Sequence, residues 1–236
     1  MLFRNMAFWD YSESQTLYGG IDMSTGSLLV ISGFSGAGKG TVIKKLLEEY
    51  DDYALSISAT TRHPREGEVD GSSYFFMDRE KFETMIGNDE FLEHAEYVGN
   101  YYGTPKKYVV DKLEAGINVI LEIETVGALN VKKTYPAAKL IFILPPSAAE
   151  LENRLKGRGT EDDATIAKRL SKAYKECDAV EAYEYIVIND SVEATAKTIN
   201  MIAAEDSQTV EKTRKENNLD LIKDIKKGLE VYYKGE

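Results

Sequence analysis

The sequence is short of the residues that staple, kink or anchor a chain. It has a single cysteine, Cys177, which excludes an intrachain disulfide framework and fits a reducing compartment. No apolar run approaches the roughly 20 residues that a membrane-spanning helix needs, and the N-terminus lacks the basic start and apolar stretch of a secretory signal. The expectation is therefore a cytoplasmic protein with no membrane partner. Positive charge is also scarce: 29 Lys and Arg stand against 40 Asp and Glu, a formal net charge of -11. Such a surface repels nucleic acid and anionic lipid, so any anionic ligand must be met by a local cluster of cations. At 236 residues the chain can still bury a sizeable core without metal or disulfide staples.

Residues 1–26 mix aromatics with turn formers, show no sustained period and read as an irregular extension. Regular structure starts at SLLVIS (Ser27 to Ser32), a short apolar run of the kind that forms a buried parallel strand. Helical spacing of Val42, Leu46 and Leu47 follows directly. Further apolar runs at NVILEIE (Asn118 to Glu124), KLIFILPP (Lys139 to Pro146) and EYIVIND (Glu184 to Asp190) alternate with helical segments. That alternation predicts an α/β fold, a three-layer parallel sheet with helices on both faces. Between the first strands and this series, residues 58–104 are rich in Gly, Tyr and charge, and SYFFM and FLEHAEYVGNYYG read as short antiparallel strands of an insert. Past residue 205, Leu219, Ile222, Ile225 and Leu229 form the apolar stripe of a charged helical tail, a face for docking on the core or on a second subunit of a homo-oligomer.

Chemistry concentrates in GFSGAGKGT: Gly33, Phe34, Ser35, Gly36, Ala37, Gly38, Lys39, Gly40 and Thr41. Four glycines let backbone N–H groups turn inward on a phosphate, the following helix N-terminus adds partial positive charge, and Lys39 supplies a full one. The strand before and helix after are the context that a phosphate-binding loop GxxxxGK(S/T) requires. Gly40 stands where that loop carries a magnesium-binding hydroxyl. Magnesium would then be held through water and the nucleotide's own oxygens, a mode it tolerates because it dehydrates reluctantly. The odd glycine points away from a switch GTPase and towards phosphate transfer between nucleotides. On the acceptor side, Arg62, Arg65 and Tyr74 in SISATTRHPREGEVDGSSYFF suit a phosphate monoester, although an isolated arginine pair would read as a solvated loop.

Taken together, the glycine loop, S-A-T-T-R-H-P-R-E-G-E, the Tyr74 strand, EFLEHAEYVGNYYGT, LEIE and R-L-K-G-R-G-T-E followed by K-R resemble the guanylate kinase family, from about Leu28 to about Ala204. The resemblance implies transfer of the γ-phosphoryl group of ATP to GMP with magnesium, on a core (27–57 and 105–204), a GMP-binding insert (58–104) and a mobile lid (about 155–169), followed by a helical extension at 205–236. It implies that Arg62, Arg65, Tyr74 and Tyr102 hold the GMP phosphate, that Ser58, Glu93 and Thr104 read guanine, and that Arg154, Arg158 and Arg169 act as lid and hinge arginines, with Gly157 and Gly159 giving hinge freedom. The chemistry supports Glu93, because guanine presents two adjacent donors, N1–H and the 2-amino group, that one carboxylate accepts together.

Glu122 and Glu124, two apart in LEIE, are expected on one face of a strand, and the resemblance implies that they lie near the guanine and magnesium-bound water. Many family members have aspartate at one or both positions, and Phe34 replaces the more usual proline of the loop. His94 reads as packing rather than catalysis. Two other readings remain: a guanylate kinase-like interaction module that binds peptide without turnover, which the intact Lys39 and loop glycines oppose, and a kinase for another nucleoside monophosphate, which Glu93 and Thr104 oppose.

Overall fold

The structure is a computed structural model that describes residues 26–157 and 162–233. The first strand, β1 (Leu28–Gly33), is an apolar run whose first four residues are at most 2% exposed, and it leads through the glycine loop into α1 (Lys39–Glu49). The chain continues through β2 (Tyr53–Leu55), β3 (Ala59–Thr60), β4 (Phe75–Phe76), α2 (Arg79–Gly87), β5 (Phe91–Tyr97), β6 (Asn100–Pro105), α3 (Lys106–Glu114) and β7 (Asn118–Glu122). There follow α4 (Thr125–Thr134), β8 (Lys139–Leu144), α5 (Ala148–Gly157), α6 (Asp163–Ala179), β9 (Tyr185–Ile188), α7 (Val192–Ala203), α8 (Ser207–Thr213) and α9 (Leu219–Leu229).

Five of these strands make the main sheet, ordered β2-β7-β1-β8-β9, with every pairing parallel. A parallel sheet must be covered on both faces, which is why β1, β7 and β8 are continuous aliphatic runs rather than alternating ones. β1 lies at its centre, so the loop that leaves its carboxyl end is held between neighbours on both sides. The strands are shorter than the apolar runs that announce them: β7 stops at Glu122, β8 at Leu144 and β9 at Ile188.

A second sheet, ordered β4-β3-β6-β5, occupies the expected insert but is mixed rather than antiparallel. β5 and β6 form an antiparallel hairpin, whereas β4 pairs with β3 in parallel. The intervening loop, residues 61–74, is long enough to bring the chain back in the same direction, which a tight turn could not do. The insert also carries a helix, α2, capped by Asp78, whose carboxylate accepts from the Lys81 N–H at 2.7 Å. Phe82 of α2 stacks on Phe91 (4.3 Å) and Tyr101 (5.2 Å), giving this sheet a small aromatic core of its own.

The chain beyond the last core helix returns across α5 and α6. Ile222, Ile225 and Leu229 of α9 are buried there, Tyr233 stacks on Tyr174 at 4.5 Å, and Lys226 pairs with Asp178. A Cβ on Gly228 would come within 2.6 Å of Ala148 Cβ, so glycine permits the helix to approach α5 this closely. Burying three such aliphatic side chains contributes about 1.5–3 kcal/mol each. The stripe thus covers the chain's own helices, although Leu219 at its start remains exposed. Residues 1–25, most of the expected N-terminal extension, lie outside the described residues, as do Arg158 and Gly159 of the lid.

Candidate active site

The glycine loop closes on itself through an Ala37 N–H to Phe34 carbonyl bond of 3.0 Å. Gly36 and Gly38 sit at φ of +94° and +93°, a region costly for any residue with a Cβ. A Cβ on Gly38 would also stand 2.4 Å from Asn189 Nδ2. Helix α1 begins immediately after, with Gly38 as its N-cap, no side-chain cap and no acid in its first turn. Its first N–H groups are therefore left to an external anion. Phe34 is fully buried edge-on to Phe142 at 5.2 Å, so ring packing anchors the loop where a proline would have stiffened it.

Lys39 folds back on its own loop, donating to the carbonyls of Gly33 (2.7 Å) and Phe34 (3.3 Å). Burial lowers its pKa from the ordinary lysine value, while Glu122, Glu124 and Glu176 oppose the shift. The cleft in front of it, about 430 Å³, is lined by Ser35, Gly36, Gly38, Lys39, Gly40, Thr41 and Glu122. A Cβ on Gly40 would meet nothing within 4 Å, so packing does not demand that glycine. Among the described residues no cluster of three His, Cys, Asp or Glu side chains could hold a metal ion. The donor set fits a cation that arrives with its own oxygens and water, with Glu122 in the lining of the same cleft.

Two of the three expected arginines converge on this loop. Arg154 of α5 donates to the carbonyls of Asn189 (2.9 Å) and Ala37 (3.4 Å) and is steered by Glu150 at 2.8 Å. Arg169 of α6 donates to Ser35 Oγ at 3.0 Å. Helix α5 ends at Gly157, so the helical turn expected to relate Arg154 to Arg158 runs out of the described residues.

On the acceptor side, β5 and β6 set Glu93 directly opposite Thr104, and the threonine hydroxyl donates to Glu93 Oε1 at 2.8 Å. Burial raises the Glu93 pKa above the ordinary carboxylate value, partly offset by the bonds from Thr104. The backbone of α4 approaches its other oxygen so closely that a Cβ on Gly127 would lie 3.1 Å from Glu93 Oε2. Ser58 is half-buried beside this hairpin, its carbonyl accepting from Phe75 N–H at 2.9 Å.

Arg62, Tyr74 and Tyr102 come together nearby: the guanidinium lies 5.4 Å from the Tyr74 ring centre, and the two tyrosine rings meet at 6.2 Å. Arg62 is bonded to Glu68 at 2.8 Å, which holds that carboxyl below its usual range. The Arg65 side chain is exposed, while its backbone N–H donates to the same Glu68 at 2.7 Å. His94 is exposed and tilted on Phe91 at 6.2 Å.

Glu122 and Glu124 require a correction. Only Glu122 belongs to β7. Glu124 is the N-cap position of α4, still extended at φ -70° and ψ 160°, so the two acids keep a common side without sharing a strand. The Glu124 side chain does not cap α4; it pairs with Lys172 of α6 at 3.0 Å. Asn189, Glu68, Lys172 and Glu176 were not legible as site residues. Asn189 is 3% exposed and ties the loop to the core, donating to the Ala37 carbonyl at 2.8 Å and accepting from Thr195 Oγ1 at 3.2 Å. The YIVIND run put it at a strand's carboxyl end, the one signal available.

The sequence profile described as guanylate kinase matches residues 25–206. Among curated relatives, a guanylate kinase of Caldanaerobacter subterraneus is 52% identical over 196 residues, covering 83% of this chain and 93% of that protein. One of Clostridioides difficile is 52% identical over 185 residues, 78% of this chain and 90% of that protein. A crystal structure of guanylate kinase from Anaplasma phagocytophilum superposes with a TM-score of 0.59 at 37% identity, over 79% of this chain and 89% of that one.

Proposed function

Because this chain belongs to the guanylate kinase family and transfers the γ-phosphoryl group of ATP to GMP, giving ADP and GDP, we propose that the glycine-loop cleft takes the ATP phosphates and the small mixed sheet takes GMP. The observation that carries this assignment is the pairing of an uncapped α1 start and half-buried Lys39 with Glu122 across one cleft. Such chemistry asks little covalent work of a protein. It must align donor and acceptor, balance charge on the migrating group and exclude water.

Lys39 supplies the movable charge by exchanging the carbonyls of Gly33 and Phe34 for phosphate oxygens. Arg154 and Arg169 make the same exchange from Ala37 and Ser35, and Arg158, which lies outside the described residues, would act with them. Arg62, Arg65, Tyr74 and Tyr102 bind the GMP phosphate, for which Arg62 gives up one carboxylate partner, Glu68, in favour of a dianion. Glu93, held by Thr104, accepts the paired donors of guanine, with Ser58 beside them. A magnesium ion, where bound, would supply charge neutralisation for the transferred phosphoryl group. Glu122 and Glu124 serve the acceptor side next to GMP, and would also hold such an ion through its water. No helix among the described residues is long and apolar enough to cross a membrane, and we place the enzyme in the cytoplasm. Cys177 suits it: burial pushes its thiol up to about 12, leaving it unreactive.

ADP formation from ATP and magnesium, compared with GMP, AMP, CMP, UMP and dTMP, tests the assignment. Turnover with GMP that disappears in Lys39→Ala supports it; a preference for another acceptor, or turnover surviving in the lysine variant, overturns it.

A further inference from the structure

Helix α6 carries Arg169, Lys172 and Glu176 at three- and four-residue spacing, hence on one stripe. Each engages a different part of the cleft. Arg169 donates to Ser35 of the donor loop at 3.0 Å. Lys172 Nζ lies 3.0 Å from Glu124 Oε2 and 3.4 Å from Glu176 Oε1. Glu176, with a side chain 14% exposed, sits within electrostatic reach of Lys39. Around Lys39 there are thus three carboxylates, Glu122, Glu124 and Glu176, and Lys172 stands between two of them.

We propose that Lys172 is a positioning residue for the acceptor side: it aims the Glu124 carboxylate and ties α6 to the first turn of α4, whose Gly127 backs onto Glu93. Without it, Glu124 is repelled by Glu122 and Glu176 and has no cap role on α4 to hold it. The same helix then registers donor and acceptor together, Arg169 on the loop and Lys172 on the acid. Side-chain exposures of 56% for Lys172 and 74% for Glu124 mean that the pair contributes little to folding. Its loss therefore reads out in substrate use rather than in stability.

The inference rests on the acceptor-side reading of Glu124, and a double-mutant cycle separates the two. Lys172→Ala is expected to raise KM for GMP about fivefold, leave KM for ATP within about twofold and keep the melting temperature, with Lys172→Arg restoring most of the loss. In a Glu124→Gln background the same alanine substitution should add less than about twofold. Normal GMP kinetics in Lys172→Ala, an equal rise in both KM values, failure of arginine to rescue, or an undiminished effect in the Glu124→Gln background each overturns the proposal. Glu124→Gln with normal GMP use would instead remove the acceptor role of Glu124 itself, and the proposal with it.

Discussion

Replacing Glu93 by glutamine changes one atom group at a half-buried position. The carboxylate is held by Thr104 on one oxygen and backed by α4 on the other, so the side chain cannot rotate away from a mismatch. Two adjacent guanine donors facing a carboxylate become two donors facing one carbonyl and one NH₂. Losing a charge-assisted bond removes about 1.5–3 kcal/mol, and a donor left against a donor in a buried site costs about 1–3 kcal/mol more. Together these predict a fall of roughly 10²–10⁴-fold in kcat/KM for GMP. KM for ATP should hardly move. Stability should move the other way. Burial raises the Glu93 pKa, so between the unfolded and folded values the folded chain holds more protons than the unfolded one, and stability falls as pH rises through that window. At neutral pH the buried charge is a standing cost that glutamine removes, and Glu93→Gln should melt at or above the parent temperature. Steady-state kinetics with both substrates varied, beside thermal unfolding at pH 7, provides the measurement. A variant within threefold of the parent on GMP, or one that loses ATP and GMP equally, would refute the reasoning.

Gly38→Ala combines a positive φ with a Cβ only 2.4 Å from Asn189 Nδ2, so it should lower stability by about 1–3 kcal/mol and raise KM for ATP more than KM for GMP. Urea unfolding and initial rates check the two halves separately. Asn189→Ala removes two buried hydrogen bonds, while the Ala37 carbonyl keeps Arg154 and the Thr195 hydroxyl keeps the Ser191 carbonyl, a loss of about 1–3 kcal/mol measurable by urea unfolding; a change below about 0.5 kcal/mol would mean that the loop does not depend on this anchor. Leu229→Ala empties a fully buried site between α9 and the helices beneath it and should cost about 2–5 kcal/mol in the same assay. An unchanged midpoint would show that α9 folds independently of the core.

Local pattern made the donor half legible. The continuous apolar run of β1, the glycines and the helical spacing after Lys39 are all set within about 20 residues, and they appear in the structure as one strand, loop and helix. Glu93 and Thr104 were legible as chemistry, and the hairpin register puts them opposite each other. The parallel β3–β4 pairing was not, because two-residue strands carry no period and their direction depends on a 14-residue loop. Helix α2 did leave a signal in Asp78, three residues before the N–H it caps, but the aromatic and charged residues around it obscured the period. Asn189, Lys172 and Glu176 act through partners 48 to 152 positions away or through helix stripes. Only the folded chain brings such pairs together.

The docking of α9 on α5 and α6 has a consequence for synthesis. When α6 has left the ribosome, the outer face it shares with α5 still lacks Ile222, Ile225 and Leu229, and residues 180 to 233 have yet to be added. At translation rates of about 5–20 residues per second, that interval lasts roughly 3–11 s. The arginine-bearing helices are thus on the nascent chain before Asn189 anchors the nucleotide loop and before their apolar surface is covered, and in that window the half-made enzyme presents to chaperones a face that the finished one hides.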